Sequence, residues 1–138
     1  MIRLFAVATV ALFALTGTAA DEKKLKEPIV AIPNDKADKI ETKDGKPTAP
    51  TAITSEKELE KAIPDEDTRK RVAKLVDFKE QTLLIFAWQG SGQDQIDYAV
   101  LESNPPQIVF GYQPGKTDDL RKHVKLFALR NGVKWSVK

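Results

Sequence analysis

The segment from Gln81 to Trp88 limits the possible folds more than any other part of the chain. Its sequence is QTLLIFAW, so an extended backbone here carries apolar side chains on both of its faces. A strand that is apolar on both faces is typical of a sheet with packed layers above and below it. The segment therefore predicts a central strand that is covered on both sides.

Four later segments also have strand character, because they are rich in aliphatic, aromatic and β-branched residues and are separated by turn residues. They are Gln95–Glu102, Gln107–Tyr112, His123–Arg130 and Val133–Lys138. Before them, Ser55 and Glu58 have the spacing of a capping box, and Asp65 or Asp67 can cap a second helix. The sequence predicts an α+β fold, in which short N-terminal helices pack on a five-stranded, mainly antiparallel sheet that curls into a half-barrel or sandwich.

The loop after Trp88 has the sequence QGSGQD and is expected to connect the first two strands as a hairpin. Directly opposed apolar side chains stabilise an antiparallel pair of strands. The expected register pairs Leu83 with Val100, Ile85 with Tyr98, and Ala87 with Ile96.

The dipeptide Asn131-Gly132 predicts a second hairpin, since both residues tolerate the positive φ that tight two-residue turns require. Its expected register pairs Ala128 with Trp135 and Leu126 with Val137. These side chains would share one apolar face, so the sequence predicts that Trp135 lies in the core.

The start of the chain has the layout of a secretory signal peptide over residues 1–20. Arg3 precedes an apolar run, Leu4–Leu15, and small residues follow it up to Ala20. The run is shorter than the roughly 20 apolar residues that a membrane-spanning helix needs. We therefore expect a secreted or periplasmic protein without a transmembrane anchor after signal cleavage.

Residues 21–52 are expected to form a disordered or extended tether, and residues 53–138 a single globular α+β domain. Lys, Asp, Glu, Thr and Pro dominate the tether, and such a composition buries too little apolar surface to offset the entropy of ordering. Within it, only Pro28–Ile32 has the character of a short strand.

The overall composition excludes several function classes. The chain contains no cysteine, which excludes disulfides and thiolate chemistry. Its formal net charge is only +2, so it lacks the broad basic field that nucleic-acid binding uses. We expect no nucleic-acid partner.

Two glycine-containing loops resemble nucleotide-binding motifs but depart from them. Gly115-Lys116-Thr117 ends like a phosphate-binding loop, yet Phe110 stands where that motif requires its first glycine. Gly90-Ser91-Gly92 lacks the third glycine of the dinucleotide fingerprint, because Gln95 occupies that position. We therefore interpret both as turns and expect no cofactor.

No constellation of residues predicts catalysis, and we expect that the chain is not an enzyme. A zinc site needs three or four ligands, whereas His123 is the one histidine and cysteine is absent. No serine lies in a nucleophile elbow. A small hydrolase with paired carboxylates stays open as a third hypothesis, since the separation of such a pair depends on the fold.

The loop between the first two strands is the candidate binding region, because loops on a rigid sheet often carry binding residues. The alternative is that it serves only as a flexible connection. Trp88 and Tyr112 could also stack against sugar rings. The candidate binding residues are Trp88, Gln89, Ser91, Gln93, Asp94 and Tyr112.

The arrangement SEKELEKAI, VDF, an aliphatic strand, a glycine-containing loop and a returning amphipathic strand resembles the exported protease-stability (PrcB-like) family of small β-rich domains. The resemblance covers Ser55 to Val100. That family has a T-G-G-Y-type loop, whereas this chain has Gly90-Ser91-Gly92-Gln93 and a later Tyr98. The resemblance implies an exported module that associates with proteins and has no catalysis of its own.

Together these observations predict an exported, non-enzymatic protein-interaction domain whose partner is an envelope or secreted protein. A carbohydrate- or cell-envelope-binding module, with a polysaccharide as partner, is the alternative. The rings of Trp88, Tyr112 and Trp135 discriminate the two: exposed, coplanar rings would favour the alternative, and buried rings would favour a protein partner that binds through loops.

Export makes a direct prediction about the mature protein. Intact-mass spectrometry of the exported pool should show an N-terminus at or within about one residue of Asp21, where the small-residue stretch ends. An exported chain that still begins at Met1 would contradict the signal-peptide interpretation.

Overall fold

A computed structural model describes residues 27–33 and 39–138, so the predicted signal peptide lies outside the described residues. The described strands are β1 (Ile29–Ile32), β2 (Lys43–Asp44), β3 (Thr51–Ile53), β4 (Gln81–Gly90), β5 (Gln95–Leu101), β6 (Gln107–Gln113), β7 (Arg121–Arg130) and β8 (Lys134–Val137). Helices α1 (Glu56–Ala62) and α2 (Glu66–Ala73) lie between β3 and β4.

The two helices begin at the predicted caps. The Ser55 side chain accepts a hydrogen bond from the backbone N–H of Glu58, whose carboxylate in turn accepts one from the N–H of Thr54. Asp65 caps α2 by accepting from the N–H of Thr68 at 2.9 Å. Such bonds satisfy amides that the first helical turn leaves without partners. Within the described ranges, no helix is long and apolar enough to cross a bilayer.

The strands form two sheets, whereas the sequence predicted one sheet of five strands. Sheet A has the order β1-β7-β4, and the short strands β2 and β3 both pair with the other edge of β4. Sheet B has the order β5-β6-β8. The α+β class is confirmed, but the additional sheet makes the fold a three-layer arrangement of helices, sheet A and sheet B.

Strand β4 lies inside sheet A and is covered on both faces, as the sequence predicted. Leu83 and Ile85 point towards the helices, where they pack with Leu59, Ile63 and Val72. Leu84, Phe86 and Trp88 point towards sheet B, where they pack with Ile108 and Phe110. The ring centroids of Phe86 and Phe110 lie 5.0 Å apart. Alternate residues of one strand thus fill two separate cores.

The predicted hairpin between β4 and β5 is wrong. The partner of β4 is β7, and the register pairs Leu83 with Ala128, Ile85 with Leu126, and Ala87 with Val124. A ten-residue strand buried on both faces needs a long apolar neighbour, and β7 supplies one with four consecutive buried residues. Strand β5 has one buried residue, Ile96, and lies at the edge of sheet B.

The predicted hairpin around Asn131-Gly132 is also wrong, although the chain does turn there. The N–H of Val133 donates to the carbonyl of Arg130. Of the two turn residues, however, Gly132 has a positive φ and Asn131 does not. Because β4 and β1 occupy both edges of β7, β8 leaves sheet A and pairs in parallel with β6. Trp135 consequently lies at the edge of sheet B with 39% of its surface exposed, rather than in the core.

Part of the predicted tether belongs to the fold. Strand β1 pairs antiparallel with β7 and places Ile29 opposite Leu129, and β2 and β3 pair with β4. Ile29, Ile32 and Ile40 are buried. These three isoleucines hold parts of the segment against the core, although its average composition predicted a disordered or extended tether. Residues 21–26 and 34–38 lie outside the described residues.

The observed core makes Phe110, rather than Trp135, the aromatic residue whose loss should cost more stability. Phe110→Ala should lower the free energy of unfolding by about 3–5 kcal/mol, because Phe110 is fully buried between the sheets. Trp135→Ala should lower it by less than about 2 kcal/mol, since its ring is partly in water. Urea denaturation of both variants measures the difference. Equal losses would contradict the placement of β8.

Candidate binding site at the Asp94 loop junction

Two loops meet at one end of the molecule and form what we call the loop junction: residues 91–94, between β4 and β5, and residues 114–120, between β6 and β7. The hydroxyls of Ser91 and Thr117 are 2.6 Å apart. The N–H of Thr117 donates to the Ser91 hydroxyl, and the N–H of Gly92 donates to a carboxylate oxygen of Asp119. The loops are therefore held by each other.

Two glycines allow this close approach. A Cβ atom on Gly115 would overlap the Ser91 hydroxyl and would lie 2.7 Å from the backbone carbon of Gln93. A Cβ on Gly92 would lie 2.5 Å from a carboxylate oxygen of Asp119. The interpretation of Gly115-Lys116-Thr117 as turn residues fits this geometry, since the N–H groups of Gly115 and Thr117 are bonded to side chains of the opposite loop.

Asp94 is the buried centre of the junction, with 6% of its surface exposed. One carboxylate oxygen accepts from the Trp88 indole N–H at 3.1 Å and from the Tyr112 hydroxyl at 2.9 Å. The other accepts from the N–H of Gly115 at 2.7 Å. This carboxylate links β4, β6 and both loops.

The environment of Asp94 favours its charged form. Burial by itself raises the pKa of the carboxyl, but the hydrogen bonds from Gly115, Tyr112 and Trp88, with the charge of His123, outweigh that effect and lower the pKa below its usual value. The pKa of Tyr112 is raised, because burial and the hydrogen bond to the Asp94 carboxylate both disfavour a phenolate.

Trp88 is enclosed rather than presented at the surface. The His123 ring stacks on it at 4.9 Å with an interplanar angle of 20°, and Tyr112 meets it edge-on at 6.4 Å. His123 Nε2 lies 2.7 Å from the carbonyl oxygen of Ser91. Because a carbonyl can only accept, this nitrogen carries the proton and donates. The histidine therefore positions both the indole and the first loop.

The structure brings the six candidate residues to the same end of the molecule but gives them different surroundings. Trp88, Asp94 and Tyr112 form one internal network. Gln89 donates from its side-chain amide to the Thr42 hydroxyl, and Ser91 is engaged with Thr117. Gln93 is exposed, and its side-chain oxygen accepts from the N–H of Lys116.

Sequence reasoning missed the second loop. Leu120 is 72% exposed, more than any other large apolar side chain of the described residues. Asp119 forms an ion pair with Arg121 at 2.8 Å. The pKa of Asp119 is lowered because the Thr117 side chain, Arg121 and the N–H of Gly92 all donate to its carboxylate. No local signal predicted these residues, since their role depends on the contact between loops.

Within residues 27–33 and 39–138, no group of three or more potential metal-binding side chains is clustered. The chain matches no protein-family model, and no curated protein or solved structure matches it.

The Asp94 network predicts a large effect of a small substitution. Asp94→Asn should lower the free energy of unfolding at pH 7 by about 2–4 kcal/mol, because the amide directs an NH2 group towards hydrogen-bond donors. Asp118→Asn, in the exposed part of the second loop, is the matched control and should change it by no more than about 0.5 kcal/mol. Urea denaturation measures both, and equal effects would contradict the central role of Asp94.

The same network predicts a pH dependence. The pKa of Asp94 in the folded state is below its value in the unfolded chain, about 3.9. Its contribution to stability is therefore fully present above the unfolded pKa and is lost as the pH falls through the folded pKa. The stability difference between wild type and Asp94→Asn should be constant from about pH 7 to 5 and shrink below about pH 4. A difference that stays constant down to pH 3 would show that the charge is unimportant.

Proposed function

We propose that this protein is an exported, non-enzymatic domain that binds another protein through the loop junction. The observation that carries the proposal is the mutual hydrogen bonding of residues 91–94 and 114–120. Loops held in this way lose little conformational entropy when they bind, which favours affinity.

The exposed side chains of the junction have the character of a protein contact surface. Leu120 offers an apolar contact, while Gln93, Lys116 and Asp118 are exposed around the same two loops. An apolar centre with a polar rim is the usual anatomy of a protein interface. A partner would bury Leu120 and meet the surrounding polar groups.

A non-enzymatic role is supported by how the junction uses its reactive groups. Both carboxylate oxygens of Asp94 accept hydrogen bonds from the protein itself, and His123 donates to a backbone carbonyl. Acid–base catalysis at this end of the molecule would need Asp94 and His123, which are the buried acid and the histidine located there. Their bonds suit them to hold the loops in place.

The carbohydrate-binding alternative has less support. Of its stacking candidates, Trp88 is 1% exposed and lies against His123, and Tyr112 meets that ring edge-on rather than coplanar with it. Trp135 is 39% exposed, but it lies on β8 and outside the loop junction. Export to the periplasm or the medium remains part of the proposal and rests on the layout of residues 1–20. The resemblance to PrcB-like domains agrees with a protein partner.

The test compares two exposed leucines. The wild-type protein, Leu120→Asp and Leu75→Asp are immobilised and exposed to envelope and secreted proteins of the native cell. Leu75 is 41% exposed and follows α2, away from the loop junction, so it is the matched control. Wild type and Leu75→Asp should capture the same protein, and Leu120→Asp should retain at least about tenfold less, because an aspartate replaces the apolar contact.

Thermal melts should show that both variants remain folded. Equal capture by Leu120→Asp and wild type would place the contact elsewhere. If wild type captures no protein, the proposed function itself is wrong.

A further inference from the structure

Sheet B is one strand narrower than the sheet it covers. Sheet A is four strands wide, with β1, β7, β4 and the row formed by β2 and β3. Among the described residues, sheet B contains only β5, β6 and β8. One strand of sheet A therefore lies outside the width that these three strands cover.

The aromatic contacts identify that strand as β1. Phe110 of β6 contacts Phe86 on β4 and Phe127 on β7, at 5.0 and 5.2 Å. Tyr98 of β5 contacts Phe127 at 5.6 Å. Strand β5 thus lies above β7, and β1 extends beyond it as a ledge. On this ledge Ala31, which shares a face with the buried Ile29, is exposed.

A groove runs along β5 above the ledge. It consists of two cavities of about 470 and 710 Å³ that share Ile96, Asp97 and Lys125. The larger cavity is apolar over much of its lining, which includes Tyr98 and Phe127. The smaller one lies next to the loop junction and is polar, with Lys122 and His123 in its wall.

Strand β5 is less protected against pairing than the other edge strands, since Asp97 is its one charged side chain. Natural edges are kept short or carry lysine or proline. Strand β1 has four residues and lies between Pro28 and Pro33, β2 and β3 have two and three residues, and β8 contains Lys134. Strand β5 has seven residues without lysine, arginine or proline, and Tyr98, Val100 and Leu101 are all more than 40% exposed.

We propose that an extended segment of a partner protein adds to the outer edge of β5 as a fourth strand of sheet B. Alternate residues of β5 direct their N–H and C=O groups away from β6, which is its one partner among the described strands. The added strand would lie above β1 and cover Ala31. This inference rests on the proposed protein-binding function and assigns a second surface to it.

The groove also specifies the chemistry of the segment. An apolar side chain would enter the larger cavity beside Tyr98 and Phe127. An acidic side chain at an alternate position, on the same face of the strand, would enter the smaller cavity near Lys122. The acidic groups of that cavity already accept hydrogen bonds within the protein, since Asp97 accepts from Gln113 and Asp94 from three donors.

A second copy of this chain fits the edge less well than a single strand. If β5 paired antiparallel with β5 of another copy, about a two-fold axis perpendicular to the sheet, both copies of sheet A would lie on the same side of the joined sheet. The ledge formed by β1 would then occupy the space that β7 needs in the other copy. A lone extended segment avoids this overlap.

The test begins with random peptides of about twelve residues, long enough to form a strand, displayed on phage and selected against the purified protein. We expect enriched sequences in which an apolar and an acidic residue stand at alternate positions. A fluorescent synthetic copy of the most enriched peptide then gives a Kd by anisotropy. Binding should slow hydrogen exchange of the β5 amides, because those that point outwards gain partners.

Three variants locate the binding surface. Lys122→Glu should weaken binding of that peptide about tenfold or more by charge repulsion, and Val100→Lys should do so by placing a charge on the edge. Lys134→Glu makes the same charge reversal on β8, at the opposite edge of sheet B, and should bind like wild type. Thermal melts exclude unfolding as the cause of a loss.

The outcomes separate this inference from the function proposed above. Selection without the alternating pattern, or enriched peptides that bind Val100→Lys and Lys122→Glu as tightly as wild type, would overturn the inference. A dimer in solution that Val100→Lys dissociates would also overturn it, by showing that a second copy occupies the edge. Leu120→Asp should bind the peptide normally, so failure at the loop junction and failure at β5 give different results.

Discussion

The pairing of β4 with β7 is the interaction on which the rest of the structure depends. Each strand has ten residues, and their register continues from Gln81 opposite Arg130 to Gly90 opposite Arg121. Most of β4 and residues 126–129 of β7 are buried on two faces, so one layer must cover each face. The helices provide the first layer and sheet B the second. The remaining strands take the places that this central pair leaves available.

The loop junction follows from the same pairing. The ends of β4 and β7 lie side by side, which brings the chain leaving Gly90 next to the chain that enters Arg121. Asp94 then completes the junction by accepting hydrogen bonds from Trp88, Tyr112 and Gly115. Burying a carboxylate costs free energy unless hydrogen-bond donors surround it. Asp94 therefore needs the two loops in this position, and its hydrogen bonds in turn hold them there. The proposed binding surface therefore depends on the hydrogen bonds to Asp94.

The sequence predicted local features well and the pairing of strands poorly. The two-sided apolar character of QTLLIFAW identified the central strand, and Ser55 and Asp65 marked the helix starts, because these signals depend on neighbouring residues alone. Strand pairing depends on competition among distant segments. The chain turns at Asn131-Gly132, yet β8 belongs to sheet B because β1 and β4 occupy both edges of β7. At the candidate site, Trp88, Asp94 and Tyr112 were named, but only the fold showed that they bond to each other.

The central claim is that Asp94 and Ser91 hold the second loop in a fixed position before any partner binds. Amide hydrogen exchange of the unbound protein, measured by NMR, tests it at the N–H groups of Gly115 and Thr117, which donate to Asp94 and Ser91. Our account predicts that both amides exchange far more slowly than those of an unstructured peptide and that Asp94→Asn removes the protection of Gly115. Exchange of both amides at the unstructured rate in the wild-type protein would contradict it.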